Sequence, residues 1–349
     1  MTINSEEVRE TTHVPVSALT EPSYGIQNGV SEPVLKTQVP KWRVPPSGWR
    51  ALIHPLADEV AREVDGYFLE HWPFPNEKSR KTFLNAGFSR VTSLYFPLSK
   101  DDRLHFACRL LTVLFLIDDL LEHMSFADGE AYNERLIPIA RGDALPDRSI
   151  PVEYIFYDLW ESMRACDRKL ADEVLESTFT FMRSQTDRVR TSIKSLGEYL
   201  EYRERDVGKA LLSALMRFTL GLQLSKEELS SMRLLEQNCS KQISVVNDIY
   251  SWEKELQASK VLHEEGAVIC SAVKVVADET NLSFHATKRV LWSMIREWEK
   301  VHDAMRDKLV ATSSPAVSQD MRRYVKGLEH QMSGNEHWSR TTKRYTEPN

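Results

Sequence analysis

From Trp49 onward, apolar residues recur at spacings of three and four with almost no strand-type alternation, and that period admits little but helices. RALIHPLADEVAREVDGYFLEHW (50–72) shows it, as do stretches near 99–124, 151–193, 196–221, 226–255, 265–278 and 283–310. Breakers fall between them: Pro73 and Pro75, Pro97, GDALPDRSIP at 142–151, and SSPA at 313–316. No repeat of solenoid length interrupts the pattern. The expectation is an all-α fold, one domain over residues 48–349 with ten or more helices. Residues 1–47 hold many of the prolines and no sustained period, which predicts a flexible N-terminal arm joined to the fold through KWRVPPSGW.

Lys and Arg number 45 against 51 Asp and Glu, for a net charge of −6, with no long basic block. That excludes nucleic acid as a partner, so any bound anion must be held locally by a few placed cations or metal ions. The four cysteines (Cys108, Cys166, Cys239 and Cys270) show no paired spacing, against a disulfide framework or zinc site and in favour of a reducing compartment. MTINSEEVRETTHVP lacks the apolar centre of a signal peptide, and no apolar run nears the roughly 18 residues that span a bilayer. A soluble cytoplasmic protein with no membrane partner is expected.

Two polar clusters interrupt the helical stripes. In LSKDDRLHFACRLLTVLFLIDDLLEHM (98–124), Ser99 and Asp102 predict a capping-box-like start. Cys108, Leu111, Phe115, Asp118 and Glu122 then share one face. This stripe is apolar for several turns and ends in carboxylates, where burial is costly and the helix dipole is unfavourable to negative charge. Asp118, Asp119 and Glu122 therefore look like a site awaiting a cation, and oxygen-only ligands suit Mg²⁺. On this evidence alone they serve equally well as solvated acids, like Asp101 and Asp102 at the other end. In SKQISVVNDIYSWEKE (240–255), Asn247, Ser251 and Glu255 stand at i, i+4 and i+8, a hard-oxygen set of low charge. Asp248 lies one position round the helix and is a weaker candidate. Such a spacing also arises on ordinary polar faces.

Together, DDLLE at 118–122 and NDxxSxxxE at 247–255 resemble the paired metal-binding motifs of class I terpene synthases, in order and in separation. The resemblance runs from about residue 49 to Tyr345. It implies the family's fold, a helical bundle around a central active-site cavity, and three Mg²⁺ ions, two held by Asp118 and the third by Asn247, Ser251 and Glu255. It implies diphosphate binding by Arg203 in EYRERDVG, by Lys254, and by the pair Arg344 and Tyr345. It adds Tyr95, Phe181 and Trp338 to Phe115 as aromatic faces for a carbocation, each worth on the order of 2 kcal/mol or more when desolvated. Without the resemblance, core packing is the ordinary explanation for any single aromatic.

The local sequence resembles the family's fungal sesquiterpene cyclases, which implies that farnesyl diphosphate is the small-molecule partner. The implied path is ionisation, closure to germacrene A, reprotonation and a second closure to a bicyclic hydrocarbon. Self-association as a homodimer or larger homo-oligomer is compatible with this. QASKVLHEEG (257–266) is expected to be a loop ordering over the site. A chain-elongating prenyltransferase is the nearest rival, but it would carry two DDxxD motifs. A DxDD motif for protonation-initiated cyclisation is missing. A non-catalytic helical adaptor explains the helices but not the two ligand sets.

Overall fold

A computed structural model of the chain describes residues 42–262, 264–312 and 318–345. Most of the N-terminal arm expected over 1–47 thus lies outside the described residues. Among the described residues, thirteen α-helices follow in order: α1 (Ala57–His71), α2 (Glu77–Ala86), α3 (Phe88–Tyr95), α4 (Leu104–Leu121), α5 (Phe126–Arg141), α6 (Pro151–Gln185), α7 (Leu196–Asp206), α8 (Lys209–Leu220), α9 (Lys226–Ser231), α10 (Arg233–Val261), α11 (Ala272–Thr280), α12 (Phe284–Thr312) and α13 (Gln319–Thr341). No strand occurs among the described residues, and none of their helices is long and apolar enough to cross a membrane.

Local chemistry sets many boundaries. Asn76, Ser125 and Ser318 accept backbone N–H groups as N-caps, and Ser195–Glu198 and Ser225–Glu228 form reciprocal capping boxes. Pro151 opens α6 at a position whose N–H has no helical partner, and Gly142 closes α5 in the left-handed region.

Tertiary contacts override the sequence pattern elsewhere. Ser99 does not cap α4, which starts at Leu104 without a side-chain cap. Lys100 N–H bonds to Thr219 O, and the Arg103 guanidinium bonds to Phe218 O at 2.7 Å and to Asp167, which hold 99–103 as turns. The stretch expected over 151–193 ends at Gln185 and is broken at Asp167 (φ −160°, ψ 90°), whose other oxygen accepts Leu170 N–H and restarts the helix. The stretch over 196–221 divides at Gly208, left-handed at φ 70°, where a Cβ would lie 3.1 Å from the Phe181 ring. Finally, α10 runs to Val261, so Gln257–Val261 is helix rather than loop.

Helices α3, α4, α6, α8, α10 and α13 pack around a central space, with α10 against α13 and α12, α13 against α3, and α6 against α5 and α8. Close approach of α13 to α3 depends on Gly334, where a Cβ would stand 2.5 Å from the Leu94 carbonyl oxygen. Alanine normally gains about 1 kcal/mol over glycine inside a helix. Here overpacking against an unyielding backbone costs about 1–3 kcal/mol and outweighs it. Gly334→Ala is expected to lower the urea midpoint; a raised midpoint would show that α13 can shift off α3 without loss.

Candidate active site

The central space opens into a cavity of about 210 Å³. Its apolar floor comes from α4 and α8, where Leu111, Leu114, Leu211 and Leu212 point inward. Aromatic walls rise beside it. Phe115 lines one side, with Trp338 6.1 Å away between ring centroids and Tyr345 5.4 Å beyond Trp338. Phe181 lines another side, on α6. Trp338 Nε1 donates to Ala86 O at 3.0 Å and Tyr95 Oη to Asn335 Oδ1 at 2.8 Å, so both present ring surface with their polar atoms satisfied. Burial pushes the Tyr95 phenol well above its ordinary pKa.

The two oxygen-bearing patches meet at the cavity mouth. Asp118 from α4, Glu122 at its C-cap, and Asn247, Ser251 and Glu255 from α10 all line it. One carboxylate oxygen from each of Asp118, Asp119 and Glu122 lies within 4.8 Å of the others. Asp118 accepts Gln185 Nε2 at 2.6 Å. Burial, followed by repulsion from Glu122 and Asp119, pushes its carboxyl up to about 7. Burial works in the same direction on Asp119, but Arg344 and Lys254 hold it below the ordinary value. On α10, Ser251 Oγ donates to Glu255 Oε1 at 2.6 Å, and burial together with Asp248 raises the Glu255 carboxyl to about 7. Crowded, hard-oxygen acids whose charge is this costly are the donor set a divalent cation stabilises.

Arg344, Lys254 and Arg203 stand at the same mouth, each engaged with acids. Arg344 makes a two-armed contact with Asp119 at 2.6 and 3.1 Å, and Lys254 Nζ reaches Glu122 at 2.8 Å. Arg203 bonds to Asn247 Oδ1 at 3.0 Å, to Asp248 at 3.4 Å and to Asp206. Tyr345 Oη accepts Asn247 Nδ2 at 2.8 Å. Of the residues singled out for the site, all line the cavity except Asp119, which is bound by Arg344, and Asp248. Asp248 turns away from it, accepting Ala272 N–H at 2.7 Å and the Tyr199 hydroxyl.

Sequence reasoning missed several neighbours. Gln185 sits 67 residues from Asp118 and no pattern links them. Arg190 lines the cavity while donating to the carbonyls of Gln185 and Val268. Asp206 was within reach of inference as the i+3 partner of Arg203. Residues 266–270 also line the mouth; Gly266 N–H bonds to Met124 O, and a Cβ at Gly266 would collide with Leu121 O.

The family model "Terpene synthase family 2, C-terminal metal binding" matches residues 109–301. Aristolochene synthase of Penicillium roqueforti is 62% identical over 335 residues, 95% of this chain and 98% of the relative. The aristolochene synthase of Aspergillus terreus is 63% identical over 302 residues, 86% of this chain and 94% of that one. The crystal structure of the P. roqueforti enzyme superposes with a TM-score of 0.77 at 64% identity, covering 86% of this chain and all of that one. Hedycaryol synthase in complex with HEPES superposes at 0.72 with 18% identity, covering 87% of this chain and 100% of its own, a likeness of fold alone. With the acidic cluster, the metal-binding family model points to a divalent metal at the cavity mouth.

Proposed function

This chain belongs to the terpene synthases and is a sesquiterpene cyclase of the class I fold; on that premise we propose that it ionises farnesyl diphosphate with Mg²⁺ and closes it, through germacrene A, to aristolochene. The observation that carries the reading is the meeting of two oxygen-bearing patches from α4 and α10 at the mouth of one aromatic-walled cavity. The relatives' shared name supports the product.

The residues fit the metal. Every candidate donor is a hard oxygen, and burial is the main cause that raises the Asp118 and Glu255 carboxyls, so a cation bound beside them would favour their charged forms. Asp118, with Asp119 and Glu122 beside it, would hold two of three ions, and Asn247, Ser251 and Glu255 the third. Bound there, Mg²⁺ supplies Lewis-acid neutralisation of the departing diphosphate.

The chain's own groups do the rest. Arg344 and Lys254, already held at the rim by Asp119 and Glu122, turn their N–H groups to the diphosphate. Arg203 and the Tyr345 hydroxyl complete the cradle from the α10 side. The leucine floor excludes water from the cation, and Phe115, Phe181 and Trp338 offer it ring faces. Tyr95 adds to the wall, its hydroxyl proton donated to Asn335.

Incubation with farnesyl diphosphate and Mg²⁺ is expected to release a bicyclic hydrocarbon, identified as aristolochene by gas chromatography–mass spectrometry. Excess EDTA should abolish the signal and Mg²⁺ restore it. Longer prenyl diphosphates formed with added isopentenyl diphosphate would identify a chain elongase instead. Folded protein that turns over no prenyl diphosphate would refute the enzyme reading.

A further inference from the structure

The junction of α2 and α3, residues 86–88, lies outside the cavity, yet it touches three parts of the site. Gly87 takes a left-handed conformation (φ 66°, ψ 49°) and lets α3 start directly after α2 ends. The Ala86 carbonyl so exposed accepts Trp338 Nε1 at 3.0 Å and Thr342 Oγ1 at 2.9 Å. Phe88, 1% exposed, lies parallel to Phe115, with centroids 4.4 Å apart and 9° between planes. The Arg344 guanidinium stands 5.2 Å from the centre of the Phe88 ring while it grips Asp119.

A buried phenylalanine ordinarily needs no explanation beyond packing. Besides its core contact with Phe83, Phe88 lies flat against a ring that faces the cavity and under the cation stationed at the cavity mouth. Attraction between a carbocation and a ring depends on the cation lying over the ring face, so a tilt of Phe115 weakens it without changing the cavity's volume. Parallel stacking resists that tilt, whereas an aliphatic neighbour of similar size does not.

We propose that Phe88 is a positioning residue for the cyclisation: it sets the plane of Phe115 against the carbocation and, through its contact with Arg344, keeps that wall in register with the diphosphate cradle. The inference rests on the terpene cyclase reading above. It predicts a defect in the chemistry of the cation rather than in the uptake of substrate.

The test is a double-mutant cycle of Phe88→Leu and Phe115→Leu in the full chain, with farnesyl diphosphate and Mg²⁺. For Phe88→Leu, kcat is expected to fall about tenfold to a hundredfold, the scale on which distant misplacement acts, with KM within about threefold. The monocyclic share of the hydrocarbons should rise at the expense of the bicycle. In the Phe115→Leu background, Phe88→Leu should change neither kcat nor the product mixture further. An unchanged mixture in the single variant, or the same added effect in both backgrounds, would overturn the positioning role and leave the cyclase assignment standing. Absence of any hydrocarbon from the unsubstituted protein would instead sink the cyclase reading itself. Should Phe88→Leu fail to fold, Phe88→Met, equally apolar but without a flat face, is read by the same outcomes.

Discussion

Asn247→Leu is expected to reduce turnover of farnesyl diphosphate by at least about a hundredfold, roughly 3 kcal/mol of barrier at about 1.4 kcal/mol per tenfold. Leucine is close in size and offers no oxygen, so one ligand of the proposed α10 metal set disappears while helix propensity is preserved. The amide has two partners. Its oxygen accepts from Arg203, which keeps Asp206 and Asp248, and its nitrogen donates to Tyr345, whose hydroxyl lies at the cavity mouth. Losing the Tyr345 bond costs about 1 kcal/mol and the bond from the charged Arg203 about 1.5–3 kcal/mol. Helical circular dichroism should therefore be unchanged, with the thermal midpoint lowered but the protein still folded. Turnover within a few fold of the parent would remove Asn247 from the ligand set; loss of helicity together with activity would make it structural.

How far the sequence reveals this site depends on whether neighbours in space are neighbours on a helix. Asp118 and Glu122, or Asn247, Ser251 and Glu255, share a face by spacing alone, and the structure brings both faces to one mouth. Helical class and most segment positions were legible for the same reason, because the apolar period is a local property. Boundaries fixed by tertiary contact were not. No local signal says that Arg103 will be tied to Phe218 O and Asp167, so the cap expected at Ser99 yields to turns. Nor does any sequence rule reject helix after Glu255; nothing in QASK breaks one, and α10 continues to Val261. Gln185, Arg190 and Phe88 were invisible because each matters through a partner far away in the chain: Asp118, Val268 and Phe115. The resemblance to a known family was needed to choose among scattered cations. Arg203 and Lys254 are ordinary helix-surface residues until Asn247 and Glu122 are placed beside them.

The adjacent aspartate gives the opposite expectation from Asn247, and the contrast comes from rotation by about 100° per residue along one helix. Asp248 is 0% exposed and faces α7 and α11. Its carboxylate accepts the Tyr199 hydroxyl, the Ala272 N–H at 2.7 Å where α11 begins, and Arg203 at 3.4 Å. Burial pushes its pKa up while Arg203, Tyr199 and the Ala272 N–H pull it back, so the network has to stay intact to keep the group in place. Asp248→Leu leaves buried donors on Tyr199 and Ala272 without an acceptor, at about 1–3 kcal/mol each, and takes one counter-charge from Arg203. The expected loss is about 3–5 kcal/mol, a large part of a typical domain's stability, read as a lower urea midpoint at constant slope. Asp248→Asn retains one acceptor oxygen and should lose less than half as much. A midpoint equal to the parent's in Asp248→Leu would show that Tyr199 and Ala272 find other acceptors, and would reopen Asp248 as a residue of the site rather than of its frame.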